Sequence, residues 1–343
     1  MESILLLTHV EADGKLGKPA LEALSAALAL GGELGAELGT HLTVGLVGAD
    51  AQAAAGQIAG AGGVRILAVT GEAFAQPRYA TDAAAAEALC RAADSTLVLA
   101  PSTSRWSRAL PGVAFRLGGR VDTHATGIAV RNGVPAVTRW FYRQRMEAVL
   151  TRQQRPWMVL LDAGCVPAWS GDAGVATVEA VAVEMPPSRT EVTGIQAPKA
   201  DQQTIRPDAK LLFVAGAGWT KKQADGKVHG AEAEQLILGF LRTAKASLGG
   251  SKSLVDLSGE GEAVLQFMTH MNQIGQTGST PRHPKGLSTC CHGEEPHVVG
   301  WRFITERRAI NLDANCGWAR GKADVLYVAD AFEVMREVNR LLE

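Results

Sequence analysis

The sequence predicts an α/β protein of two domains, the first built on a mostly parallel sheet with an antiparallel extension and the second doubly wound. Three observations carry this. Short apolar runs alternate with helical patterns from Ile4 to Leu117, the order that yields parallel strands covered on both faces. The alternation restarts at Leu211 after a proline-bearing interruption. The chain's 343 residues exceed the roughly 250–300 at which single cores stop growing.

In chain order, Ile4–Thr8 reads as a strand, Asp13-Gly14-Lys15 as a turn and Pro19–Leu30 as a helix. Leu42–Val47, Ile66–Val69 and Thr96–Ala100 continue the strands, with helices near Ala51–Ala59 and Thr81–Ala92 between them. A further helical segment follows Pro101 and ends near Leu117. Beyond it Ala125–Val130, Ala136–Tyr142, Glu147–Leu150, Met158–Leu161 and Val175–Val183 are closely spaced and lack helical patterns between them, which predicts antiparallel strands extending the sheet. The first domain is placed at 1–185. Residues 186–208 hold Pro186, Pro187, Pro198 and Pro207 among polar residues without periodicity, as a linker does. The second domain is placed at 209–343. It opens with the strand Leu211–Ala215 and a turn at Gly216-Ala217-Gly218, then a helix from about Ala231 to Leu248 with Leu236, Ile237, Phe240, Leu241, Ala244 and Leu248 on one face. Val264–Met271 reads as a short helix, Ala309–Leu312 and Val325–Val328 as strands, and Ala331–Leu342 as a closing amphipathic helix.

Composition narrows the function. With 34 basic against 35 acidic residues and a formal charge of -1, nothing draws the chain to nucleic acid or an anionic membrane. Trp140, Phe141 and Tyr142 alternate with basic residues, and a strand packed on one face accounts for them. Apolar stretches are broken well before the roughly 20 residues that span a bilayer, so no membrane span is expected. Cys90, Cys165, Cys290, Cys291 and Cys316 are odd in number and irregularly spaced, which points to a reducing, cytoplasmic setting.

The stretch from Leu248 to Asp324 concentrates polar, glycine-containing segments beside apolar runs. They are Gly249–Ser253, Gln273–Gly278, His292–His297, Ala309-Ile310-Asn311 and Ala323-Asp324. An α/β sheet presents such loops where they converge on a ligand. Taken singly, each segment has a plainer reading. Ser251 and Lys252 fit the glycine turn that ends a helix, Thr277 a polar loop, His297 a structural histidine, and Asn311 and Asp324 strand-end turns.

As an ordered set, these motifs resemble the alpha subunit of electron transfer flavoproteins. Gly275-Gln276-Thr277-Gly278, the loop ending at His297, Ala309-Ile310-Asn311 and Ala323-Asp324 carry most of the likeness. Arg206-Pro207-Asp208 before Leu211–Ala215, and Leu99-Ala100-Pro101-Ser102-Thr103, add to it. The resemblance implies an electron carrier rather than an enzyme, with no catalytic residue of its own. It implies a heterodimer with a beta subunit, docked mainly through the first domain, and an FAD held mostly by the second. Electrons would come from a flavin-dependent dehydrogenase, an amine or N-methyl dehydrogenase being one such donor, and pass to a quinone-linked acceptor. The implied FAD residues are Ser251, Lys252, Ile274, Gly275, Gln276, Thr277, His292, Gly293, Glu294, Glu295, Pro296, His297, Asn311, Asp324 and Val325. Ser251 and Lys252 would meet the pyrophosphate, Thr277 the N5–O4 edge of the flavin and His297 its N1–C2=O edge, with Asn311 and Asp324 near the AMP half.

The chain also departs from that family's pattern. Gly218 stands where an arginine commonly lies over the cofactor phosphates, and Lys252 where one lies near the isoalloxazine; lysine lacks arginine's bidentate fork. The run Thr289–His297, with Cys290 and Cys291, opens a second reading, a metal or iron-sulfur site drawing on Cys316, His283 and His292, although adjacent cysteines match the usual ligand spacing poorly. A third reading is a non-redox, regulatory protein that binds only an adenine nucleotide. Arg105, Trp106 and Arg108 are read either as partner-interface residues or as a helix start with solvated arginines.

Overall fold

A computed structural model of the chain describes residues 2–34, 42–141, 146–185, 187, 189–194, 205–206, 209–251, 254–255, 265–269, 272–274, 283–289, 304–316, 319–320 and 323–343. The chain divides into two compact units, Met1–Ile195 and Gln196–Glu343.

The first unit runs β1 (Ile4–His9), α1 (Lys18–Glu33), β2 (Leu42–Gly48), α2 (Gln52–Gln57), β3 (Arg65–Thr70), α3 (Tyr79–Ala92), β4 (Leu97–Pro101) and α4 (Ser104–Arg116). It continues with β5 (Arg120–Arg131), β6 (Val134–Phe141), β7 (Met146–Leu150), β8 (Trp157–Leu161) and the short β9 (Glu179–Ala180). These strands form one sheet in the order β7-β6-β5-β8-β4-β1-β2-β3-β9. Alternation along β1 explains its central place. Ile4 and Leu6 join the core under α1 and α2, while Leu5 and Leu7 join the core under α3 and α4, and all four are fully buried.

Two strands differ from expectation. Antiparallel pairing is confined to β6, which pairs so with β5 on one side and β7 on the other. Met158–Leu161 belongs to β8, an inner strand parallel to both β4 and β5 and buried along its whole length. A continuous apolar run is what a strand covered on both faces requires. Of Val175–Val183, only Glu179 and Ala180 pair, parallel to β3. Here the chain skirts the sheet edge, so Val178 leans on one core and Val181 and Val183 on the other.

The second unit comprises β10 (Leu211–Ala215), a 3-10 turn at Ala217–Thr220, α5 (Gly230–Ala244), β11 (Ser247–Gly250), β12 (Lys285–Thr289), β13 (Glu306–Asn311), β14 (Val325–Val328) and α6 (Ala331–Leu342). Its strands are all parallel, in the order β11-β10-β12-β13-β14. Phe213, Ala215 and Ile310 pack beneath α5 and α6, and Leu212, Val214 and Ala309 form the core of the opposite face. The long helix expected to reach Leu248 stops at Ala244. Lys245 takes a left-handed conformation with φ +50° and its N–H returns to Leu241 O, ending the helix so that Leu248 is buried within β11 instead. The helix expected at Val264–Met271 is likewise absent from the described residues there; 265–269 hold a turn closed by Met268 N–H to Leu265 O at 3.0 Å.

Candidate cofactor site

In the second sheet the chain steps from β10 to β11 on one side and then from β12 to β14 on the other. The order reverses between β10 and β12, and it is outside the C-terminal ends of the strands at such a reversal that α/β sheets open a crevice.

At the end of β11, Ser251 is buried, and its N–H donates to Ala215 O at 3.0 Å. Its Oγ accepts the Leu254 N–H at 3.2 Å, the bond of a helix-capping serine. Ile274 lies beside it, donating its N–H to Gly250 O at 3.2 Å. This approach explains Gly249, while Gly250 faces the flexible end of Met268. A Cβ on Gly249 would stand 2.6 Å from Ile274 Cγ2, and one on Gly250 would stand 2.5 Å from Met268 Cε.

At the end of β13, Asn311 is buried; its Oδ1 accepts the Asp313 N–H at 2.9 Å and its carbonyl accepts the Ala329 N–H at 3.2 Å. At the end of β14, Asp330 caps α6, accepting the Glu333 N–H at 3.1 Å. Asn311 and Asp330 share a small crevice with Gln223, from the loop after β10, and with Phe332. The turn after β10 is fastened across the reversal, because the fully buried Trp219 donates to Thr289 Oγ1 at 2.8 Å and packs at a tilt against Phe332 with ring centroids 4.6 Å apart.

Ser251, Ile274 and Asn311 therefore sit at one edge of the sheet, whereas Asp324 and Val325 do not join them. Asp324 precedes β14, and its carboxylate accepts the Arg307 backbone N–H and Nη2, each at 2.7 Å. The Arg307 side chain holds that carboxyl below the usual carboxylate range, helped by the backbone N–H. Arg307 and Asn311 are about 13 Å apart along β13 at roughly 3.3 Å per residue, which puts Asp324 at the opposite edge. Val325 is exposed there. The acid that leaves β14 is Asp330. Its signal was the spacing Asp330-x-x-Glu333 just before the amphipathic helix, a capping pattern. Lys252, Gly275, Gln276, Thr277, His292, Gly293, Glu294, Glu295, Pro296 and His297 lie outside the described residues, as do Cys290 and Cys291.

Among the described residues, no group of three or more His, Cys, Asp or Glu could hold a metal ion. Cys316 is packed in the second unit's apolar core, and His283 Nε2 lies 2.9 Å from Arg206 O. In the first unit Arg105 and Trp106 are neither interface nor solvated. Trp106 is fully buried, and Arg105 is locked to buried Asp82 at 2.7 Å and to Phe74 O at 2.7 Å. Arg108 is about half exposed, 3.6 Å from the same carboxylate. His9 packs beside Trp106 at 6.1 Å, and burial, then the Arg105 charge, push its pKa down to about 4.

The fold defines a class: a two-unit α/β protein with a mostly parallel first sheet and a wholly parallel second sheet whose strand order reverses between β10 and β12. A family model described as the electron transfer flavoprotein domain matches residues 4–187. The chain belongs to the electron transfer flavoprotein family, and its role is of that type. Proteins of this family are electron carriers rather than enzymes, and they generally bind flavin. No curated protein matches the chain. Among the described residues no helix is long and apolar enough to cross a membrane.

Proposed function

We propose that the chain is the alpha subunit of an electron transfer flavoprotein, binding one FAD in its second unit and pairing with a beta subunit through its first. The reading is supported by the C-terminal edge of the second sheet, where Ser251 and Ile274 follow β11 on one side of the β10–β12 reversal and Asn311 and Asp330 follow β13 and β14 on the other. Those residues fit a dinucleotide. In this reading the pyrophosphate lies by the capped turn at Ser251, after β11. The Asn311 and Asp330 side chains suit ribose hydroxyls. Lys252, Gly275, Gln276, Thr277 and the loop His292 to His297 complete the proposed site around the flavin ring.

Bound there, the isoalloxazine supplies the centre that accepts and gives up electrons. The protein's part is to hold the dinucleotide and set the charge around the ring. Electrons would enter from a flavin-dependent dehydrogenase and leave for a quinone-linked acceptor, in the cytoplasmic setting suggested by the cysteine usage.

The test is the visible absorption spectrum of the chain co-purified with its candidate beta subunit, followed by reduction and identification of the released cofactor. A flavin band that bleaches on reduction, with FAD released, is the expected result. A colourless complex that releases only an adenine nucleotide overturns the redox reading.

A further inference from the structure

We propose that Lys221 and Lys222, on the loop leaving β10, are further cations that meet the phosphates of the dinucleotide, in addition to Lys252. This rests on the reading of the second unit as an FAD site and adds to it the groups that neutralise the ligand's charge.

The loop from Gly216 to His229 is positive and held in shape. It carries Lys221, Lys222 and Lys227 against a single acid, Asp225, and that acid is engaged by His229 Nε2 at 2.8 Å. Gln223 folds the loop on itself, its Nε2 donating to Gly218 O at 3.1 Å and to Lys221 O at 2.7 Å. Gln223 N–H donates to Lys227 O, and Gly226 N–H to Gln223 O, each at 2.9 Å. The base is anchored by Trp219 on Thr289 and Phe332. Gln223 also lines the crevice that holds Asn311 and Asp330. Lys222 directly precedes Gln223, and Lys221 is drawn in by the Gln223 bond to its carbonyl, so both ride on the turn beside that crevice, and both are exposed.

A dinucleotide brings two phosphate charges to this edge. Lys252 offers one full positive charge in this reading; Ser251, Asn311, Gln223 and the helix starts offer hydrogen bonds only, and Asp330 is itself an acid. Gly218, inside the same turn, contributes only backbone. Two ammonium groups on a preorganised loop add the countercharge that one lysine leaves short of two phosphates.

The experiment uses the full chain with its co-purified partner, stripped of flavin and titrated with FAD at several salt concentrations. K221A/K222A is compared with wild type, with the arginine pair K221R/K222R, and with K210A/K285A. The last removes two lysines from the opposite edge, where Lys285 N–H bonds Lys210 O before β10 and β12. The expected result is FAD binding weakened roughly 10- to 100-fold in K221A/K222A, with a shallower salt dependence. Near-wild-type affinity is expected in both other variants. Wild-type affinity and salt slope in K221A/K222A overturn the lysine assignment alone. Equal weakening in K210A/K285A overturns it too, by showing a general charge effect. A wild-type complex that takes up no FAD overturns this inference together with the reading beneath it.

Discussion

The indole N–H of Trp219 donates to Oγ1 of Thr289 at 2.8 Å, a bond that spans the reversal between β10 and β12. Thr289 Oγ1 in turn lies 3.2 Å from Val214 O, to which it donates. One hydroxyl thus joins the end of one strand to the turn leaving its neighbour. The replacement Thr289→Val keeps the shape and leaves the indole N–H buried without this partner. Such a loss costs about 1–3 kcal/mol, to be read as a lower denaturant midpoint at unchanged slope. FAD affinity should fall with it, since the lysine-bearing loop loses its anchor.

Asp330 and Asp324 separate by edge, and their variants should separate by phenotype. Asp330→Ala removes the α6 cap, at about 0.5–2 kcal/mol, and weakens FAD. Asp324→Ala breaks the exposed pair with Arg307, whose side-chain exposures are 31% and 44%, so its stability cost should stay within about 1 kcal/mol and FAD binding should be unaffected. Isothermal titration of both variants decides this. Weakened FAD binding by D324A with none by D330A would reverse the assignment.

Gly249 is required by packing. A methyl there meets Ile274 Cγ2 at 2.6 Å, and a β-branched side chain has little room to turn away. Gly249→Ala should therefore destabilise the fold by about 1–3 kcal/mol. The double change Gly249→Ala with Ile274→Val removes only the far Cδ1 methyl and leaves Cγ2, so it should not restore stability, whereas Gly249→Ala with Ile274→Ala should recover part of it. Thermal unfolding of the three variants is the measurement.

His9 makes stability depend on pH in a defined window. Its pKa in the folded chain is about 4, against an ordinary value of 6.5. The unfolded chain therefore binds a proton that the folded chain refuses, and stability falls as pH drops from about 6.5 towards 4. The full effect is about 3 kcal/mol at 1.36 kcal/mol per pKa unit. His9→Gln should flatten the stability profile in that interval. An unchanged profile would show that His9 titrates normally.

Much of the architecture was legible in the residues. Leu211–Ala215, Val325–Val328 and Ala331–Leu342 were bounded correctly from apolar periodicity, because each carries a strong pattern next to a turn or cap. β12 was missed. Lys285-Gly286-Leu287-Ser288-Thr289 has one large apolar residue, and only its place between β10 and β13 makes it a strand. The helix assigned through Leu248 failed because Ala246, Leu248 and their neighbours continue a helical spacing, while the left-handed Lys245 that breaks it leaves no mark in composition.

The sequence by itself determined the alternation of strands and helices and its restart at Leu211. These depend on local periodicity and on turn chemistry, which short stretches carry. Only the tertiary structure decided which end of a strand each polar residue occupies. Asp324 and Asp330 flank the same four-residue strand, and in sequence both are acids beside an apolar run. Strand direction is set by the neighbours to which β14 is hydrogen-bonded, and that places one acid on Arg307 and the other beside Asn311. It was likewise long-range packing that turned Arg105 and Trp106 inward, because Asp82 and Phe74, which receive Arg105, are more than 20 residues away along the chain.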